Sequence, residues 1–239
     1  MKSLLTAIAL LTRVPVPASA ETKVAGEAMR WFPLIGALIA AVYLAIAALS
    51  RPALPASVAA VLILVAEALL TGALHMDGLA DTADGFGAGK NPGDCLRIMR
   101  DHSIGTYGAV AIALLVALKV TTLTALLERH HAWPYLWWAP VLSRWSVVPL
   151  SRFLPYARPA ESVFSFVTGL ELLWATVLAA LLVIPAGPWT ALLCWLVVAA
   201  ASAWFGLWSR RKIGGITGDT LGATVEICEC LVLLTGLLL

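Results

Sequence analysis

Three aspartates open the chemical reading of this chain. In His75-Met76-Asp77-Gly78-Leu79-Ala80-Asp81-Thr82-Ala83-Asp84-Gly85, Asp77, Asp81 and Asp84 are spaced i, i+4 and i+7. On a helix that spacing lines the carboxylates along one stripe. Like charges so close repel unless a cation neutralises them. Oxygen-only ligands favour a hard ion, Mg2+ above Zn2+. Mg2+ keeps several waters and binds through a few carboxylates plus substrate phosphates, so the stripe points to phosphate chemistry. The plainer alternative is a solvated helix face.

Two further segments carry groups that suit the same chemistry. Arg97-Ile98-Met99-Arg100-Asp101-His102-Ser103 precedes an apolar run. Its arginines can clamp phosphate oxygens bidentately, and Asp101 can serve as ligand or general base. An ordinary basic cluster at a helix start explains the arginines equally well. Near the carboxyl end, Gly214-Gly215-Ile216-Thr217-Gly218-Asp219-Thr220-Leu221-Gly222-Ala223 leads into a run holding Glu226 and Glu229. A glycine-rich segment opening a helix offers amide N–H groups to an anion. Asp219, Glu226 and Glu229 share one helix face. Each ionised carboxylate in hydrocarbon costs about 2.5–3.5 kcal/mol on the insertion scale. That cost implies a protein interior, a cation or a basic partner, and Lys119 and Arg144 are the embedded candidates. A purely structural ion-pair network satisfies the same energetics. Glu67 lies two turns before His75, and the spacing leaves its role undecided.

The elements that must position these groups are apolar. Of the 239 residues, 61% are hydrophobic and 13% charged, with mean hydropathy +0.91. Soluble domains have about 45–50% apolar and about 25% charged residues, so the excess faces a lipid bilayer. A net charge of +2 without a long basic run excludes nucleic acid as a partner. Crossing about 30 Å of hydrocarbon takes about 20 apolar residues. Candidate spans are Phe32–Leu49, Val58–Leu74, Ala109–Leu127, Trp137–Leu154, Leu170–Ile184, Trp189–Leu207 and Leu221–Leu239. The fold class expected is therefore all-α, a polytopic transmembrane bundle of about seven spans forming one domain over residues 1–239. Tryptophans 31, 133, 137, 138, 189 and 208 fall near span ends, as interfacial anchors do.

Of the 16 lysines and arginines, Lys119 and Arg144 sit within spans and only Arg51 and Arg129 fall on one side of the membrane. The others gather on the opposite side, which the positive-inside rule makes cytoplasmic. The amino terminus and the polar segments 75–108 and 209–220 then face the cytoplasm. Residues 1–30 read as an amphipathic segment on that surface. Ala18-Ser19-Ala20 imitates a signal cleavage site, but Arg13, Pro15 and Pro17 cut the preceding apolar stretch short. The four cysteines read as small buried hydrophobes.

Taken together, these segments resemble the cobalamin synthase family, the adenosylcobinamide-GDP ribazoletransferases. The likeness rests on Leu11-Thr12-Arg13-Val14-Pro15-Val16-Pro17, Phe32-Pro33-Leu34-Ile35-Gly36, the block from Leu74 to Gly85, Ile98-Met99-Arg100-Asp101, Ile104-Gly105-Thr106, Ser143-Arg144 and the glycine-rich segment with Glu226 and Glu229. Ser103 stands where the family usually has a basic residue, and His102 is the nearest substitute. The resemblance implies a bacterial inner-membrane enzyme that joins α-ribazole, free or 5′-phosphorylated, to adenosylcobinamide-GDP and releases GMP. It implies Mg2+ on Asp77, Asp81, Asp84, Asp219 and Glu229, and Asp101 or Glu226 as the carboxylate that takes the hydroxyl proton. Substrate contacts fall to Arg13, His75, Arg100, His102, Lys119, Arg144, Gly215, Thr217, Gly218 and Thr220. A homo-oligomer is compatible with this pattern.

Two rival classes are weighed against it. CDP-alcohol phosphotransferases also cluster aspartates on membrane helices, but their aspartate–glycine pair is followed by an alanine–arginine step, and here Ala80 is followed by Asp81. A cation transporter would use embedded charges to line a path, yet no inverted repeat relates the two halves.

Overall fold

The computed structural model describes residues 1–17, 22–129, 133–158 and 167–239, with only the backbone of Thr22 and Lys23. The signal-like Ala18-Ser19-Ala20 lies outside the described residues. The helices are α1 (Lys2–Leu11), α2 (Thr22–Ala28), α3 (Phe32–Ser50), α4 (Ala56–Thr71), α5 (Leu74–Ala88), α6 (Pro92–Ile98), α7 (Thr106–Leu127), α8 (Trp133–Phe153), α9 (Gly169–Val183), α10 (Pro188–Ile213) and α11 (Gly218–Leu238). Among the described residues there are no named strands, only an isolated bridge between Tyr156 and Ile216. The all-helical expectation holds.

Five segments are long and apolar enough to cross a bilayer, those containing α3, α7, α9, α10 and α11, and α4 joins them only if it is counted together with α5 across an 89° bend. Seven spans were expected, and the difference has two physical causes. Gly72 (φ 65°) and Ala73 (φ 56°) both adopt left-handed backbone, which stops α4 and turns α5 away from the direction of the span. The acidic stripe therefore does not continue the lipid-embedded helix. The second cause is α8, which packs on α3, α9, α10 and α11. Enclosed by protein, it tolerates Pro140, Arg144 and Pro149 and falls short on apolarity.

Burial ranks the helices by what they face. In α11, 72% of the apolar window is buried, against 22% in α9. Thus α11 sits inside the bundle, while α9 turns Leu173, Trp174 and Leu181 outward. The tryptophans divide likewise. Trp133 and Trp189 are exposed at helix starts, as interfacial anchors require. Trp138 is a correction: it is buried in the core, and its indole N–H donates to the Val183 carbonyl at 3.0 Å. All four cysteines are free and buried.

Pro185 and Gly187 close the turn between α9 and α10, with Gly187 at φ 152°. Arg51, Glu128, Arg129 and Trp133 gather at one end of the bundle. The segments at 72–105, 155–158 and 214–218 gather at the other, tied by bonds from Gly105 to Asp84 and from Ala157 to Ile216.

Candidate active site

The site forms where α5 meets the first turn of α11. Gly78 makes the approach possible, since a Cβ there would stand 2.8 Å from the Asp219 carbonyl oxygen and 3.1 Å from its Cα. Backbone contact this close draws Asp219 to the acidic stripe of α5. Burial, and then the charges of Asp77, Asp219 and Asp84, push the Asp81 carboxyl up to about 6, with Arg158 acting in the opposite sense. The Arg158 guanidinium lies 3.6 Å from Asp219 Oδ2. Mutual repulsion among oxygen donors is the condition a divalent cation relieves. Among the described residues, no three His, Cys, Asp or Glu side chains already close on one point.

Asp84 stands apart from that group. Its carboxylate accepts the amide N–H groups of Gly105 at 2.7 Å and Gly108 at 2.9 Å, so it seats on the first turn of α7, where an anion suits the helix dipole. Arg100, Asp101 and His102 are exposed just before that helix. A hydrogen bond from the Ser103 amide holds the Asp101 carboxyl below its usual range.

The glycine-rich segment spends its amides differently from the expected open anion nest. Thr217 and Thr220 form a reciprocal cap at the start of α11, each side chain accepting the other's amide N–H at 3.2 Å and 2.8 Å. The Gly218 amide donates to the Tyr156 hydroxyl at 3.0 Å. Gly215 has no room for a side chain beside the Pro155 carbonyl, and the 155–157 strip hydrogen-bonds alongside it. Tyr156 and Arg158 were missed by sequence reasoning; the only signal was their closeness to Pro155 and Pro159. Burial, with the charge of Asp219, pushes the Tyr156 phenol up.

A second group lies deeper. Lys119 on α7 places its ammonium 2.9 Å from Glu67, 2.7 Å from Glu226 and 3.0 Å from Glu229. Arg144 on α8 pairs with Glu67 at 3.2 Å and, through Nη1, with Glu229. The Tyr43 hydroxyl donates to Glu229 at 2.7 Å. Five helices, α3, α4, α7, α8 and α11, are tied at this one cluster. The expected partnership of Lys119 and Arg144 with Glu226 and Glu229 is present, and the undecided Glu67 joins it. Glu229 has both oxygens engaged by cations, and both ends of the Arg144 fork are occupied by carboxylates.

Between the two groups lies a cavity of about 230 Å3, lined by His75, Asp77, Arg144, Gly218 and Asp219 and by apolar side chains that include Leu11, Val147 and Val225. His75 Nδ1 and Arg144 Nε are buried without hydrogen-bond partners, an arrangement that costs about 1–3 kcal/mol per group. Arg13 does not line this cavity. Its backbone amide donates to the Leu70 carbonyl at 2.7 Å, and its side chain covers Gly72 at the α4–α5 bend.

Comparison with known proteins bears on this arrangement. The chain is 40% identical to an adenosylcobinamide-GDP ribazoletransferase of Ralstonia pickettii, over 97% of this chain and 93% of that protein. It is 40% identical to one of Rhizobium etli, over 93% and 91%, and 35% identical to one of Prosthecochloris aestuarii, over 100% and 98%. No solved structure matches. The model of one family, described as cobalamin-5-phosphate synthase, matches residues 3–238, and with the two diagnostic segments meeting at a single site, the chain belongs to that family.

Proposed function

We propose that this protein joins α-ribazole, free or as its 5′-phosphate, to adenosylcobinamide-GDP, forming adenosylcobalamin or its 5′-phosphate and releasing GMP. The observation that carries the reading is the meeting of α5 and α11, which brings Asp77, Asp81 and Asp219 near one another beside a cavity that His75 and Arg144 also line. A ribazole hydroxyl attacks the cobinamide-side phosphorus of the diphosphate. A new P–O bond forms, the bond to the GMP oxygen breaks, and the hydroxyl proton passes to a carboxylate. Transfer of this kind is mainly positioning and charge stabilisation. Mg2+ held through one or two of Asp77, Asp81 and Asp219, with water and phosphate completing its shell, would supply the charge that offsets the diphosphate.

The proton acceptor is best sought at the cavity. Asp77 and Asp219 line it. Asp101 is exposed on the surface, and Glu226 is engaged with Lys119. Asp84 and Glu229, expected as further ligands, support the site from behind by seating α7 and holding Arg144 in place. Arg100, His102 and Arg158 stand at the polar end where phosphates would arrive, Arg158 being paired with Asp219. The skewed distribution of lysine and arginine supports a cytoplasmic amino terminus and a site open to the cytoplasm, in a bacterial inner membrane.

Purified protein in detergent, given adenosylcobinamide-GDP, α-ribazole and Mg2+, is expected to release GMP in step with cobalamin formation and to stop on addition of EDTA. Folded protein that makes neither product would remove the transferase reading.

A further inference from the structure

Resting on that reading, we infer that the cavity between α1, α3, α5, α8 and α11 receives the flat aromatic base of the acceptor nucleoside, with its polar edge toward His75. Three observations converge on this occupant.

Size comes first. Cavities that take whole drug-sized ligands run from about 300 to 1,000 Å3, and this one holds about 230 Å3. It fits a fragment such as a bicyclic ring and is too small for a corrinoid or a dinucleotide.

The walls agree. Leu10, Leu11, Phe32, Val147, Leu221 and Val225 make one side apolar, which suits a methylated aromatic ring and opposes a charged diphosphate.

The polar atoms complete the match. His75, 4% exposed, belongs to the same lining and offers an imidazole edge to a ring nitrogen or a ribose hydroxyl. Asp77, Gly218 and Asp219 line the same cavity. A base seated among the apolar residues would thus leave its sugar beside the carboxylates, where the attacking hydroxyl has to be.

The test is base selectivity. Val147→Phe narrows the apolar wall, and Val147→Ala widens it. KM is measured for the dimethylbenzimidazole riboside, for the benzimidazole riboside lacking the methyl groups, and for adenosylcobinamide-GDP. In Val147→Phe, KM for the methylated riboside is expected to rise about tenfold or more, as loss of apolar fit implies. The unmethylated riboside should suffer less, and adenosylcobinamide-GDP should stay within about twofold. A ratio between two bases in one preparation does not depend on the fraction folded. Equal effects on both bases, or an effect confined to adenosylcobinamide-GDP, would overturn the inference. If Val147→Phe does not accumulate, Val147→Ala decides the matter: unchanged relative acceptance of a base bulkier than dimethylbenzimidazole would refute it, and increased acceptance would support it. Should wild-type protein make no product at all, the transferase reading fails separately. Saturable binding of the riboside, followed by its own fluorescence and weakened by Val147→Phe, would still support the cavity assignment, and absence of binding would end it.

Discussion

Replacing Lys119 by methionine tests whether the buried cluster holds the bundle together. Lys119 is 1% exposed, and its ammonium lies within 3.0 Å of three carboxylates, on α4 and α11. Methionine fills a similar volume but leaves Glu67, Glu226 and Glu229 facing Arg144 alone. Glu67 and Glu229 keep a guanidinium partner, whereas Glu226 has no other ion pair. Removing one partner of a buried pair costs about 3–5 kcal/mol, because the other charge stays buried and uncompensated. For a chain of this size, about 1 kcal/mol moves Tm by about 2–4 °C, so Lys119→Met is expected to lower Tm by about 10 °C. Tryptophan emission in detergent follows unfolding, since Trp145 and Trp195 stack edge to face within the core. Adding Glu226→Gln removes the stranded charge, and the double variant should recover a large part of the loss. A Tm shift under about 2 °C, or no recovery in the double variant, refutes the assignment of Lys119 as the counter-ion of Glu226.

Other expectations follow from the polar end. Asp81→Asn should abolish GMP release while membrane insertion and yield stay at the wild-type level; retained turnover would take Asp81 out of the essential set. Asp84→Ala strands the Gly105 and Gly108 amides and should cost about 1–2 kcal/mol, as loss of a helix cap does, seen as a lower Tm and faster hydrogen exchange at the start of α7. The Asp81 carboxyl is raised from 3.8 to about 6, so the folded, metal-free protein binds its proton more tightly than the unfolded chain. That contribution to stability is complete below about pH 4 and is lost as pH rises through about 6. Mg2+ relieves the repulsion, so it should raise Tm at pH 7.5 and have little effect at pH 5, where proton and cation compete. Equal Mg2+ effects at both values would show that Asp81 is not at the metal.

Much of the fold was legible because lipid imposes a simple rule on composition. Runs of apolar residues in Phe32–Leu49, Ala109–Leu127, Leu170–Ile184, Trp189–Leu207 and Leu221–Leu239 correspond to helices long and apolar enough to cross a membrane. The rule fails where a helix faces protein: α8 carries Arg144 and two prolines because its neighbours, not lipid, surround it. It fails again at Gly72–Ala73, where two left-handed residues turn the chain and hydropathy has no sensitivity to backbone sign.

The site divides along the same line. Residue types and spacing alone determined that Asp77 and Asp81 share a helix face, that an acidic group sits beside a glycine-rich segment, and that embedded Glu226 and Glu229 need cations. These follow from helical periodicity and from the cost of charge in hydrocarbon, both local in the chain. Only the tertiary structure decided which carboxylates keep company. Asp84 went to the α7 amides, Glu229 to Arg144 and Lys119, and Asp219 to α5 through a gap the size of one missing methyl group at Gly78. Tyr156, Arg158 and Glu67 entered for the same reason. Partnership among groups dozens of residues apart is set by how helices pack, and that packing depends on small residues at contact points no linear spacing records.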